Sequence, residues 1–144
     1  MPTVDIKRPL NPRNEVYKAP SGVAFATKIL LAPNENNSTD TFTAANSSSA
    51  SILGLNIKTI ATGTFSVDTL VPVFVDEDAE YSFAVGTGTA DENDEQGFID
   101  LKDADEVNVD TSNRDVVFVT RFIKGTRVLG KIALWAWRQP VIIR

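Results

Sequence analysis

The chain has 144 residues, a net charge of −5 and 42% hydrophobic content, with neither cysteine nor histidine. Absent cysteine excludes disulfides and thiolate chemistry, and absent histidine removes the usual general base near neutral pH and the commonest metal ligand. No catalytic residue, metal or cofactor is therefore expected, and the chain reads as a non-enzyme.

The length fits one domain. No apolar run approaches the roughly 18 residues of a membrane-spanning helix. The start, Met1 to Pro9, lacks the apolar core of a secretory signal. A soluble product made in the cytoplasm, with no membrane partner, is expected.

Residues 1–20 hold Pro2, Pro9, Pro12 and Pro20, with Lys7, Arg8, Arg13 and Lys18 between them against Asp5 and Glu15. Proline denies helix and favours extended backbone. The segment reads as an extended Pro-rich N-terminal arm ahead of a β domain over residues 21–144. Val4, Ile6, Leu10, Val16 and Tyr17 give the arm apolar grip. Such an arm is expected to be mobile in the free protein and ordered on a partner. Deleting residues 1–18 is expected to weaken that attachment and leave the fold intact.

Residues 22–31, rich in Val, Phe, Thr, Ile and Leu between proline-marked turns, read as a strand. Residues 34–51 are dense in Asn, Ser and Thr without a basic residue and read as a polar loop. Further strands are expected at 52–60, 70–75, 81–85, 98–101, 107–109, 116–123 and 127–137. Alternation is clear in Tyr81-Ser82-Phe83-Ala84-Val85, and Val116 to Val119 is apolar on both faces. Helical periodicity is weak throughout; residues 90–96 support only a short acidic turn. Gly86-Thr87-Gly88 and Lys124-Gly125-Thr126 mark turns, the second a hairpin between two long strands. The fold class is mostly β: a single small β-barrel or β-sandwich carrying the arm.

Charge is segregated along the chain. Residues 76–115 contain fourteen acids against Lys102 and Arg114, whereas residues 121–144 contain six basic residues, including Arg121, Arg127, Arg138 and Arg144, and no acid. Opposed surfaces of this kind would orient one copy on another or on a lattice. The acidic total disfavours direct nucleic-acid binding. Residues 91–97 fail as a calcium loop, with Gln96 where glycine is needed and Lys102 where a bidentate glutamate is needed. Accidental carboxylate pairs give no ground for glycoside hydrolysis. Gly86-Thr87-Gly88-Thr89 lacks the lysine and helix of a phosphate loop. Trp135 and Trp137 share one face of a regular strand, and with Arg138 beside them they form a preferred contact surface.

The runs Val71-Pro72-Val73-Phe74-Val75-Asp76, Glu80-Tyr81-Ser82-Phe83-Ala84-Val85, Gly97-Phe98-Ile99-Asp100-Leu101 and Asp115-Val116-Val117-Phe118-Val119-Thr120-Arg121-Phe122 resemble in style the decoration, or cement, proteins of tailed-bacteriophage heads. The resemblance covers about residues 70–136. It implies a compact β domain on the capsid exterior, bound to the major capsid protein and to copies of itself, in that family often as trimers, with extended arms strapping neighbouring capsomers. Virion localisation follows from it. The expected interface residues are Lys7, Arg8, Arg13, Tyr17, Arg121, Arg127, Trp135, Trp137 and Arg138. The alternative is a phage tail or host-recognition module, with the 34–51 loop carrying specificity.

Overall fold

The computed structural model describes residues 3–18, 28–33, 42–49, 51–57, 70–76 and 78–132. Within them, six strands make one sheet: β1 (Asp5–Arg8), β7 (Glu80–Thr87), β8 (Phe98–Asp103), β9 (Glu106–Asn108), β10 (Val117–Lys124) and β11 (Arg127–Ile132). Their order is β1-β7-β11-β10-β8-β9, and β9 returns to pair with β7. That last pairing closes β7, β11, β10, β8 and β9 into a five-stranded barrel. An odd ring cannot alternate direction all the way round, so at least one joint must be parallel; here it is β7–β9, through Ala84↔Glu106 and Val85↔Val107. β1 pairs with β7 ahead of β9, through Asp5↔Ser82 and Ile6↔Tyr81.

The second sheet is antiparallel throughout: β2 (Arg13–Lys18), β6 (Leu70–Val75), β5 (Gly54–Asn56), β3 (Leu30–Pro33) and β4 (Phe42–Ala44), in that order. Alternation sets what each strand buries. Val128, Gly130 and Ile132 of β11 point into the core, as do Val71, Val73 and Val75 of β6. Tyr81 and Phe83 of β7 are fully buried. Gly130 is required by closeness: a Cβ there would lie 2.8 Å from the Phe118 carbonyl oxygen and 2.9 Å from Val117 Cγ1. A strand interior normally disfavours glycine, and tight approach of a neighbouring backbone is what overrides that preference.

The mostly β fold with a barrel agrees with the sequence reading, and so does the β10–β11 hairpin, in which Lys124 pairs with Arg127 across Gly125-Thr126. The acidic turn is a 3-10 helix at Glu92–Asp94. The proline-rich segment differs from the expectation in its described part. Its chain is extended, but β1 is a strand of the barrel sheet and β2 a strand of the second sheet, and Val4 is fully buried. Proline composition read as a strap because Pro9 and Pro12 exclude helix; they flank the crossing between the two strands, where no ladder bond is lost. β4 lies inside the stretch read as a polar loop, its Phe42 fully buried.

Two chain crossings between the sheets run side by side, β1 to β2 through residues 9–12 and β6 to β7 through residues 76–79. Asp76, fully buried, binds them together. Its Oδ2 accepts from the backbone amides of Leu10 at 2.8 Å and Asn11 at 2.9 Å, and its Oδ1 accepts from the amide of Asp78 at 3.1 Å.

Candidate functional site

The expected interface residues that are described lie on both sheets. Lys7 and Arg8 are exposed on β1, in the barrel sheet, whereas Arg13 and Tyr17 lie on β2 in the other. Arg13 and Tyr17 both engage Glu15 between them: Arg13 Nε lies 3.3 Å from Oε1, and the Tyr17 hydroxyl donates to Oε2 at 2.9 Å. Arg121 is exposed on β10, while the half-buried Arg127 donates through Nη1 to the buried Ser82 hydroxyl at 2.5 Å. Trp135, Trp137 and Arg138 lie outside the described residues.

In the described residues the acidic and basic stretches of the sequence touch at one place. The acidic 3-10 turn packs against the basic β10–β11 hairpin: Ala90 N–H donates to the Gly125 carbonyl at 3.0 Å, and Phe122 N–H donates to Glu95 Oε2 at 2.8 Å. Glu95 thus reaches the strand between Arg121 and Ile123. Many acids also serve the local backbone. Asp76, Asp91 and Asp103 each accept from the amide two residues on, the turn in which a short carboxylate satisfies backbone N–H groups. Asp91 and Asp94 form a reciprocal capping box around the 3-10 helix, so this stretch is a capped turn.

Asp100 is the most heavily used of these carboxylates. It accepts from the Thr111 hydroxyl at 2.7 Å and from the amides of Asn113 at 2.9 Å, Arg114 at 2.7 Å and Asp115 at 2.9 Å. Burial by itself pushes its pKa up, but the Thr111 hydroxyl and the three amides stabilise the anion more, and the carboxyl titrates below its ordinary 3.8. Loop 111–115 is shaped around this anion.

A second carboxylate group was not apparent in the sequence. Asp103, Asp105 and Glu106, at the β8–β9 turn, bring one oxygen each within 4.8 Å of one another. Burial raises the pKa of Asp105, and its hydrogen bond to Asp103 and the charges of Asp103 and Glu106 raise it further, to about 6. Asp103 moves the other way: burial opposes ionisation, but hydrogen bonds from the Asp105 side chain and amide, a bond with Glu106 and the Lys102 charge hold it below 3.8. Protonation is thus favoured at Asp105 and ionisation at Asp103. Spacing of two and three residues was the available signal; what it lacked was the burial of Asp105, which is only 8% exposed.

No protein family, curated protein or solved structure matches the chain.

Among the described residues Leu10, Ile57 and Ile123 are exposed singly, and two further surfaces combine an exposed large apolar side chain with apolar neighbours. On β2 and β6, Val16 is 58% and Leu70 60% exposed, on the face that also carries the half-buried Pro72 and Phe74. That face continues toward Leu55 and Leu30, which are buried, so the exposed portion lies at the β2 end of the sheet. On the outside of the barrel, Phe98 is 52% exposed and packs on Phe118 directly across the β8–β10 pairing, ring centroids 5.1 Å apart. Lys131 pairs with Phe118 from the other side.

Proposed function

We propose that the chain is a non-enzymatic structural protein of a phage virion, a decoration or cement protein that binds the outer surface of the capsid and stabilises the major capsid protein lattice. The observation that carries this reading is the pair of exposed apolar surfaces on two different sheets, Val16 with Leu70 and Phe98 with Phe118. A cement protein has to touch more than one neighbour, and two apolar surfaces on separate sheets suit that task. Many modest contacts repeated over a lattice then add through effective concentration. Aromatic and arginine side chains dominate interface energetics, which favours Phe98, Phe118 and Arg121 as anchors, ahead of the residues already engaged internally. Self-association into a homo-oligomer is part of the same reading, with either surface as the contact.

The experiment is attachment of the purified protein to capsids lacking it, read as copies bound per particle. Hundreds of copies per head are expected on the lattice model, and Phe98→Ser and the double change Val16→Ser with Leu70→Ser should each lower occupancy while the folded spectrum is kept. Binding of only a few copies, at a tail, would overturn the head assignment.

A further inference from the structure

A hollow of about 460 Å³ lies where the 46–49 turn meets the open side of loop 108–114. Ser47 lines it from the turn, and Asn108, Asn113 and Arg114 line it from the barrel side together with Thr111, Leu101 and the buried Asp100, which forms its floor. We infer that this hollow is a binding site for a neutral saccharide.

Three features lead there. The first is that both walls are held in place before any ligand arrives. Asn46 Oδ1 accepts from the Ser48 amide at 2.8 Å and the Asn46 amide donates to Ser49 Oγ at 3.1 Å, while Asn108 Oδ1 accepts from the Asp110 amide at 2.9 Å. The floor is fixed by the four bonds into Asp100, which is only 4% exposed. Ordered walls reduce the conformational entropy that binding must remove.

The second is unused hydrogen-bonding capacity facing one space. Among the described residues, the side chains of Ser47, Asn113 and Arg114 make no hydrogen bond or ion pair, and the Asn108 amide nitrogen makes none either. Thr111 has donated its proton to Asp100 and keeps oxygen lone pairs to accept one. The hollow therefore offers two carboxamides, a guanidinium fork and a hydroxyl, together with acceptors: the mixed donor and acceptor set that adjacent sugar hydroxyls, each both donor and acceptor, can satisfy. Its size falls in the range of small-ligand sites, about 300–1,000 Å³.

The third is charge. Arg114 is the only cation among these lining residues, which also include the Asp100 carboxylate, and Asp110 is exposed on the same loop. An anionic ligand would meet both carboxylates, and a cationic one would meet Arg114. A neutral polyhydroxyl ligand meets neither penalty. The site joins the 34–51 polar stretch to the barrel, a juxtaposition that lies 53 residues or more apart in sequence between Ser47 and its nearest partner, Asp100.

The test is a titration of the ¹⁵N-labelled full chain with glucose, galactose and N-acetylglucosamine, with sialic acid as the anionic comparison, following backbone amide shifts. Saturable shifts at Ser47, Asn108, Asn113 and Arg114 are expected with at least one neutral sugar, with Kd on the order of 1 mM. Arg114→Ala and Asn113→Ala should each weaken binding about tenfold, equivalent to about 1.4 kcal/mol, and Ser47→Ala should weaken it from the opposite wall. Unchanged amide positions for Asp100 and Asp115 in the free variants would certify that the floor is intact. The inference is overturned if none of the three neutral sugars gives a saturable shift, if the variants bind as the parent does, or if sialic acid binds more tightly than every neutral sugar. Capsid attachment does not enter this readout, so the two assignments stand or fall separately.

Discussion

The backbone amide of Leu30 donates to the carbonyl of Ala104 at 2.8 Å, which ties β3 of the second sheet to the β8–β9 turn of the barrel. Ala104 sits between Asp103 and Asp105, so the bond between the sheets hangs on the turn that holds two carboxyl groups shifted in opposite directions. Asp105 is raised to about 6 from 3.8. A raised carboxyl contributes stability that is complete below its unfolded value and is lost as pH rises through its folded value. Asp100 and Asp103 are lowered and work in the opposite sense, contributing above 3.8 and failing as pH falls through their lower folded values. Between about pH 4 and pH 7 the Asp105 effect is therefore the one that moves, and stability should fall with rising pH. Its ceiling is about 3 kcal/mol, at about 1.36 kcal/mol per pH unit. The charged groups around Asp105 are Asp103 and Glu106, with Lys102 lying 3.9 Å from Glu106. Asp105→Asn, which keeps a donor to Asp103 at all pH values, should flatten the urea-unfolding profile across this range and protect the Leu30 amide from exchange near neutral pH. A parent profile already flat there would refute the raised Asp105 carboxyl.

Asp76 gives a second prediction. Asp76→Ala removes the acceptor for the amides of Leu10, Asn11 and Asp78 at once. Hydrogen bonds to a charged group contribute about 1.5–3 kcal/mol each, but Leu10 and Asn11 lie in an exposed turn where water can replace part of the loss. The expected cost is about 2–4 kcal/mol in chemical denaturation. Asp76→Asn keeps one acceptor oxygen and should cost about half as much.

These two carboxylates mark the boundary of what the sequence could reveal. The strands at 70–75, 81–85, 98–101 and 116–123 were legible because runs rich in β-branched and aromatic residues, alternating clearly in 81–85, stand between turn residues. The turn at 124–126 was legible because its glycine breaks a β-rich run. Asp76 and Asp100 were read only as charge, since burial of an acid depends on amides brought from 66 and 14 residues away, such as those of Leu10 and Arg114. The same long-range pairing hid β1, whose Ile6 meets Tyr81, and placed the acidic turn beside the basic hairpin, which a linear count of charge presents as two poles.

Gly130 lies in a narrow part of the barrel, against backbone that has no room to retreat. Gly130→Ala would press a methyl into the Phe118 carbonyl oxygen and Val117 Cγ1. Overpacking of this kind costs about 1–3 kcal/mol, and a clash with main chain belongs at the upper end. The change should lower the thermal midpoint. Gly97→Ala is the comparison: its nearest neighbour would be the Asp94 carbonyl oxygen at 3.3 Å, so a smaller loss is expected.

Truncation of residues 1–18 separates the two views of the N-terminal segment most sharply. If it were a strap, the remaining chain would fold unchanged. In the structure its removal takes away β1 and β2, the buried Val4 and both amides held by Asp76 Oδ2. It also uncovers the β6 edge along the register from Arg13↔Val75 to Lys18↔Leu70. An uncovered edge strand is a template for pairing with another chain. The truncated protein should therefore lose its cooperative thermal transition and aggregate, as seen by circular dichroism and light scattering. Trimming only residues 1–2 should leave both strands, and the transition, in place. A truncated chain that melted cooperatively at the parent temperature would show that β1 and β2 contribute nothing to the stability of the barrel and its companion sheet.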